Sequence, residues 1–200
     1  MKKIFAIAAA VVAVSAAAHA SNIPVMTNVT ASGSDFNFHY LTALAPDQGL
    51  TSGDRLVIID FTGYVPGSVY STNANWTASV ASTLPSGLLL LPGVTDKASV
   101  ADLIFTYIGP DYQVGGGPYA DQTNYLGLGA LSSFSKIVTG SFSAEAIKNS
   151  GFTQGSVTYN VGSVAVPGVP EASTWAMLLV GVFGIGGALR SRRRTIAATA

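Results

Sequence analysis

The chain has 200 residues, with ten basic and ten acidic side chains, no cysteine and a hydrophobic fraction of 48%. The absence of cysteine excludes a disulfide framework, thiolate catalysis and cysteine-ligated zinc. The neutral total hides an uneven distribution. Lys2, Lys3, Arg190, Arg192, Arg193 and Arg194 lie near the two ends, which leaves residues 21–169 with Arg55, Lys97, Lys136 and Lys148 against nine acidic residues, a net charge of −5. An acidic surface with no basic stripe argues against nucleic acid as a partner, because binding phosphate needs clustered cations.

In chain order, Lys2 and Lys3 precede an apolar run from Ile4 to about Val14 and small residues ending in Ala18-His19-Ala20. This is the layout of a secretory signal peptide, with cleavage expected after Ala20, so that the exported chain starts at Ser21. The run is shorter than the roughly 20 apolar residues of a membrane span. Residues 1–20 are therefore read as an export signal, and residues 21–166 as one exported domain with a single core.

Within this domain, period-two alternation marks half-buried strands. It places Phe36, Phe38 and Tyr40 on one face, then Trp76, Ala78, Val80 and Leu84, then Val157, Tyr159 and Val161. "RLVIIDFTGYV" and "DLIFTYIG" are instead continuous apolar runs rich in β-branched and aromatic residues, as expected of strands covered on both faces. "FSKIVTGSFSAEAIK" supplies one or two further strands, of which Ser143 to Lys148 could also form a helical turn. Gly/Pro turns punctuate the runs at Ser52-Gly53-Asp54, Pro66-Gly67, Pro85-Ser86-Gly87, Pro92-Gly93, Gly109-Pro110-Asp111, Gly115-Gly116-Gly117-Pro118 and Asn149-Ser150-Gly151. Many short strands separated in this way imply an all-β fold, an antiparallel sandwich or jelly roll.

The domain carries little recognisable chemistry. His39 is its one histidine and falls on the strand face opposite Phe36, Phe38 and Tyr40, the place of a hydrogen-bonded surface histidine. No G-x-S-x-G elbow accompanies it, which disfavours a serine hydrolase. Paired carboxylates are formally available, but Glu145 is the domain's single glutamate and most aspartates sit beside turns, as turn chemistry alone would select. Gly115-Gly116-Gly117 lacks the Lys-Ser/Thr of a phosphate loop. Asp111, Asp121 and Asn124 could share calcium, although their spacing matches no EF-hand. The expectation is thus no catalytic residue, no metal site and no cofactor. Tyrosines near turns, Tyr64, Tyr70, Tyr112, Tyr119 and Tyr125, leave open a binding module for polysaccharide.

The tail is more informative. Residues 167–174 form an extended proline-containing connector, beginning within "VPGVP", that can join neither sheet nor helix. From Ala172 to Leu189 there is no charge, and as a helix these 18 residues would span about 27 Å, close to the roughly 30 Å hydrocarbon core. The membrane helix is placed at 175–189, with Trp175 as its interfacial aromatic. Arg190, Arg192, Arg193 and Arg194 in the basic tail, 190–200, hold the C-terminus in the cytoplasm. The domain then lies across the inner membrane, the topology that the signal peptide also implies. On this evidence alone a plain anchor and a processed tail are equally served.

"VPEASTWAMLLVGVFGIGGALRSRRR" resembles the PEP-CTERM sorting signal in its Trp-Ala-containing variant. Pro170, Glu171, Trp175 and Ala176 match the motif, followed by the glycine-bearing span and the arginine cluster. Ala172 stands where the second proline of the motif would be. Less specifically, the stretch from "SGDRLVIIDFTGY" to "YNVGSVAVP" resembles the ectodomain that often accompanies such tails. The resemblance implies that an exosortase, a membrane-embedded protease-transpeptidase of Gram-negative bacteria, processes the chain. The product would pass to the cell surface or the extracellular matrix, in association with exopolysaccharide or biofilm.

Overall fold

The computed structural model describes residues 22–113, 123–149 and 154–169, together with 180, 182 and 183. The chain divides into two compact units, residues 1–168 and residues 169–200. The first contains eleven described strands: β1 Asn22–Ser32, β2 Asp35–Leu44, β3 Gln48–Leu50, β4 Arg55–Phe61, β5 Tyr70–Ser71, β6 Trp76–Ala81, β7 Ala101–Tyr107, β8 Tyr112–Gln113, β9 Thr123–Ser132, β10 Ile137–Lys148 and β11 Val157–Pro167. In the second, Val180, Val182 and Phe183 are helical and exposed. Among the described residues no helix is long and apolar enough to cross a membrane. Apart from those three residues, the expected span 175–189 lies outside the described residues.

The strands make two antiparallel sheets. One has the order β1-β2-β9-β5, and the other β6-β7-β4-β10-β3-β8, with β11 added to β10. The main core cluster draws on both: Phe38, Tyr40 and Leu128 from the first sheet with Leu56, Leu103, Phe105 and Phe142 from the second. Phe38 meets Phe61 edge-on at 5.6 Å between ring centroids, a favoured aromatic geometry. The buried Tyr40 hydroxyl donates to the Ala165 carbonyl at 2.9 Å, which ties β2 to β11 across the core.

The alternation in β2 is realised as expected, since Phe38 and Tyr40 are buried and Phe36 packs against the same cluster. The apolar runs also behave as doubly covered strands. In β4, Leu56 and Ile58 face the main core, whereas Val57 and Ile59 join Ile104 of β7 in a second cluster on the opposite face. What covers that second face is the irregular connection between β6 and β7, through Leu84 and Leu88, rather than another sheet. The Pro-Gly turns are realised too, with Gly67 and Gly93 at φ 76° and 84°, a region that costs glycine little.

Two expectations need correction, in β6 and β11, and one alternative falls away. In β6 Trp76 is buried and Ala78 packs against the main core, but Val80 is 37% exposed and Leu84 lies beyond the strand, against the second cluster. Ser143 to Lys148 forms no helical turn. It continues β10, held between β11 and, on the other side, β4 and β3. In β11 the expected apolar face is the outer one: Val157 and Tyr159 are 48% and 43% exposed, and the inward positions run Thr158, Asn160, Gly162, Val164 and Val166. The polar members of the inward row are satisfied by hydrogen bonds. Thr158 Oγ1 donates to Gln48 Oε1 at 2.7 Å, and Asn160 Nδ2 donates to the Asn22 carbonyl at 3.2 Å. Such bonding removes the burial penalty that would otherwise have turned the strand over.

Candidate functional site

The sorting-motif positions Pro170, Glu171, Trp175 and Ala176, the arginines 190 and 192–194, and the signal-cleavage residues Ala18, Ala20 and Ser21 lie outside the described residues. The structure does place what adjoins them. β1 begins at Asn22, whose side chain is buried. At the other end the expected connector starts later than its sequence implies: Val166 and Pro167 are buried and pair in β11 with Val138 and Ile137, the Gly168 N–H donates to the Lys136 carbonyl at 2.8 Å, and Val169 is the first exposed residue beyond them.

Among the described residues, Tyr64, Tyr70 and Tyr125 do not share one exposed face. Tyr125 is buried in an aromatic cluster with Trp76 and Tyr107, its ring centroids 5.8 and 6.1 Å from theirs. The Tyr64 hydroxyl accepts from the Gly67 N–H at 3.1 Å, which makes it a brace for its own turn. The Tyr70 hydroxyl bonds His39 Nδ1 at 2.8 Å, while His39 Nε2 bonds Thr30 Oγ1 at 2.9 Å. His39 is therefore a hydrogen-bonded strand histidine, as its position in the pattern implies. Tyr119 and the Tyr112 side chain lie outside the described residues.

Glu145 is clamped by an arginine. Arg55 donates to it through Nε at 2.8 Å and through a terminal guanidinium nitrogen at 2.9 Å, and also donates to the Ser86 carbonyl at 3.1 Å. A carboxylate held in a bidentate fork is a structural tie between β4 and β10, with its oxygens committed. Beside it Asp54 is nearly buried and accepts from the Thr51 N–H at 2.9 Å. Burial, reinforced by Glu145 and Asp111 nearby and opposed by the Thr51 bond and Arg55, pushes its pKa up to about 6. Asp111 accepts from the Thr51 hydroxyl at 2.5 Å. Asp121 lies outside the described residues, and Asn124 sits in β9 in register with Ala43.

A different group of carboxylates is brought together. Asp60, Asp96 and Asp102 each offer an oxygen within 4.8 Å of the others. The β4–β7 register shifts between Ile58 and Phe61, and Asp60 takes the left-handed φ of 57°, which aspartate tolerates better than most residues. This bulge points the Asp60 N–H at Asp102 Oδ1, at 2.9 Å. Asp96 comes from the β6–β7 connection and accepts from the Leu84 N–H at 2.6 Å, while Asp60 Oδ1 accepts from the Lys97 N–H at 3.1 Å. Asp102 is fully buried, and its Oδ2, like Asp96 Oδ1, has no hydrogen-bond partner. Burial first, then Asp96 and Asp60, raise the Asp102 pKa to about 6 against the Asp60 N–H bond. The nearest cation is the largely exposed Lys97, with Nζ 3.9 Å from Asp60 Oδ2.

No protein-family model matches the chain, and no curated protein matches it.

The aspartate cluster is not legible as a site in the sequence, because its members are 36 and 6 positions apart and match no metal-binding spacing. A signal was present nonetheless. Asp60 interrupts one run read as covered on both faces and Asp102 opens the other, so each charge needed a partner. Next to the cluster in sequence, Val80, Ala81, Ser82 and residues 98–101 line an open depression of about 330 Å³. Its small apolar and hydroxyl side chains supply no acid or base.

Proposed function

We propose that the chain is a non-enzymatic exported protein, a β-sandwich delivered to the cell surface or extracellular matrix by a C-terminal signal of the PEP-CTERM type. An exosortase-type membrane protease would be the partner that reads Pro170, Glu171, Trp175 and Ala176. The span 175–189 would hold the precursor in the inner membrane, and the four arginines would keep its end in the cytoplasm. In the matrix the domain would lie among exopolysaccharide. The observation that best supports this reading is where the β-rich unit ends: β11 closes at Pro167, one residue short of the boundary between the two compact units, and the motif begins at Pro170 in the sequence. A segment placed just outside the folded unit would be open to a protease. The non-enzymatic part is supported by the commitment of Glu145 to Arg55 and of His39 to Thr30 and Tyr70.

The test is the intact mass of the protein recovered from the surface and medium of its native host, compared with the membrane-bound form. The expected species starts at Ser21 and ends between Pro170 and Ala176, with excess mass if a group is attached on transfer. Full-length material confined to the inner membrane would make the tail an ordinary anchor and overturn the reading.

A further inference from the structure

We propose that Asp60, Asp96 and Asp102 form a calcium site that clips the β6–β7 connection to the bulge in β4. The inference concerns the folded domain alone and is independent of how the tail is processed.

Three observations point to a cation here. First, the carboxylates come from three separate segments yet offer oxygens within 4.8 Å of one another. Three oxygens spread evenly around one calcium at 2.3–2.6 Å are about 4.0–4.5 Å apart, so the cluster needs at most a few tenths of an ångström of contraction to share one ion. Second, each carboxylate is fixed by a backbone N–H: Asp60 by Lys97, Asp96 by Leu84 and Asp102 by Asp60. Third, Asp102 is 0% exposed and its Oδ2 has no hydrogen-bond partner, while Asp96 Oδ1 is likewise buried and unpartnered. A buried carboxylate oxygen with nothing to accept from carries a full desolvation penalty, and a bound cation would remove it.

The chemistry of the donors selects the ion. Only oxygens are offered, with no histidine or cysteine in the cluster, which suits a hard cation and disfavours zinc or copper. Calcium accepts irregular geometry and completes its shell with carbonyls and water. Magnesium demands a tight octahedron at about 2.0–2.1 Å, which three carboxylates pinned by three different backbone segments adapt to poorly. Three carboxylates and Lys97 carry −2 together, and one calcium balances them. Lys97, whose side chain is 67% exposed and whose Nζ is 3.9 Å from Asp60 Oδ2, stands at the rim and need not leave as the ion enters.

The role of such a clip follows from where it sits. The connection 82–100 has no regular strand or helix, yet it covers the second face of β4 and β7 through Leu84 and Leu88. In a chain without cysteine, an ion joining Asp96 to the sheet would do what a disulfide does in other small exported domains.

The test uses the full chain in detergent, titrated with calcium chloride by calorimetry and followed by thermal unfolding. One saturable site is expected, with Kd of about 0.1–1 mM as in extracellular modules, and a rise in Tm of about 3–10 °C at about 10 mM calcium. Asp96→Asn keeps an oxygen for the Leu84 N–H and should weaken binding at least about tenfold. Asp102→Asn should do the same, and the two variants guard against one of them failing to fold. Magnesium should give less than half the shift. The absence of saturable heat and of any Tm change in the unsubstituted chain would overturn the site. Binding that survives in a folded variant would place the ion elsewhere, and an equal magnesium response would overturn the assignment to calcium.

Discussion

Asp54 illustrates how one residue can be legible in type and illegible in environment. "SGD" announces a turn, and the turn is there, with the Asp54 carboxylate accepting from Thr51. Nothing in the local sequence announces that Glu145, 91 positions later, and Asp111 would be brought near it as the strands closed over. Its pKa is raised from 3.8 to about 6, chiefly by burial, so the folded state holds this proton more tightly than the unfolded chain does. The stabilisation from that proton is complete below about pH 4 and is lost as pH rises through about 6. Asp54→Asn keeps an acceptor for the Thr51 N–H and removes the titration. Denaturant unfolding of both proteins across this window should show the parent losing stability relative to the variant as pH rises, and a pH-independent difference would refute the assignment. His39 is the opposite case: period-two alternation alone put it on the outer face, where its two ring nitrogens find Thr30 and Tyr70.

Among the elements, β4 and β7 were the most legible, because continuous runs such as "LVII" and "LIF" leave no polar face to present to water. Which element would cover the second face was not legible, since Leu84 and Leu88 sit in a Pro/Gly/Ser-rich stretch that reads as exposed loop. β11 was legible as a strand and wrong in its facing, because hydrogen bonds to Gln48 and Asn22 let Thr158 and Asn160 turn inward. These bonds join segments more than 100 positions apart, beyond the reach of any local pattern. The cover over β4 makes a quantitative prediction. Ile59 is 1% exposed in the second cluster, so Ile59→Ala should cost about 2–4 kcal/mol, as for other truncations of fully buried aliphatic residues. Leu88 packs against the same cluster but is only partly buried, and Leu88→Ala should cost about 1 kcal/mol. Chemical unfolding measures both. If Leu88→Ala leaves stability unchanged, the connection does not contribute to the core as its packing implies.

At the scale of the whole molecule, the last strand joins the two sheets as well as finishing the chain's β-rich unit. β11 pairs with β10 over the length from Ile137–Pro167 to Ile147–Val157, contributes Val164 and Val166 to the main core, and receives the Tyr40 hydroxyl at Ala165. Asn160 reaches Asn22 at the start of β1, so the first and last strands close on each other. Residues beyond Val169 belong to the second compact unit. A chain ending at Val169 should therefore unfold cooperatively as one domain, with the near-ultraviolet signal of a packed Trp76–Tyr107–Tyr125 cluster. A chain ending at Ser156 loses β11 whole: it exposes the edge of β10, opens the core at Val164 and Val166, and strands the buried Tyr40 hydroxyl. It should aggregate or remain without fixed aromatic packing. Circular dichroism and thermal melts of the two truncations decide the matter: a cooperative transition in the shorter chain would mean that the two sheets hold together without β11, and its loss in the longer one would mean that the domain needs residues beyond Val169.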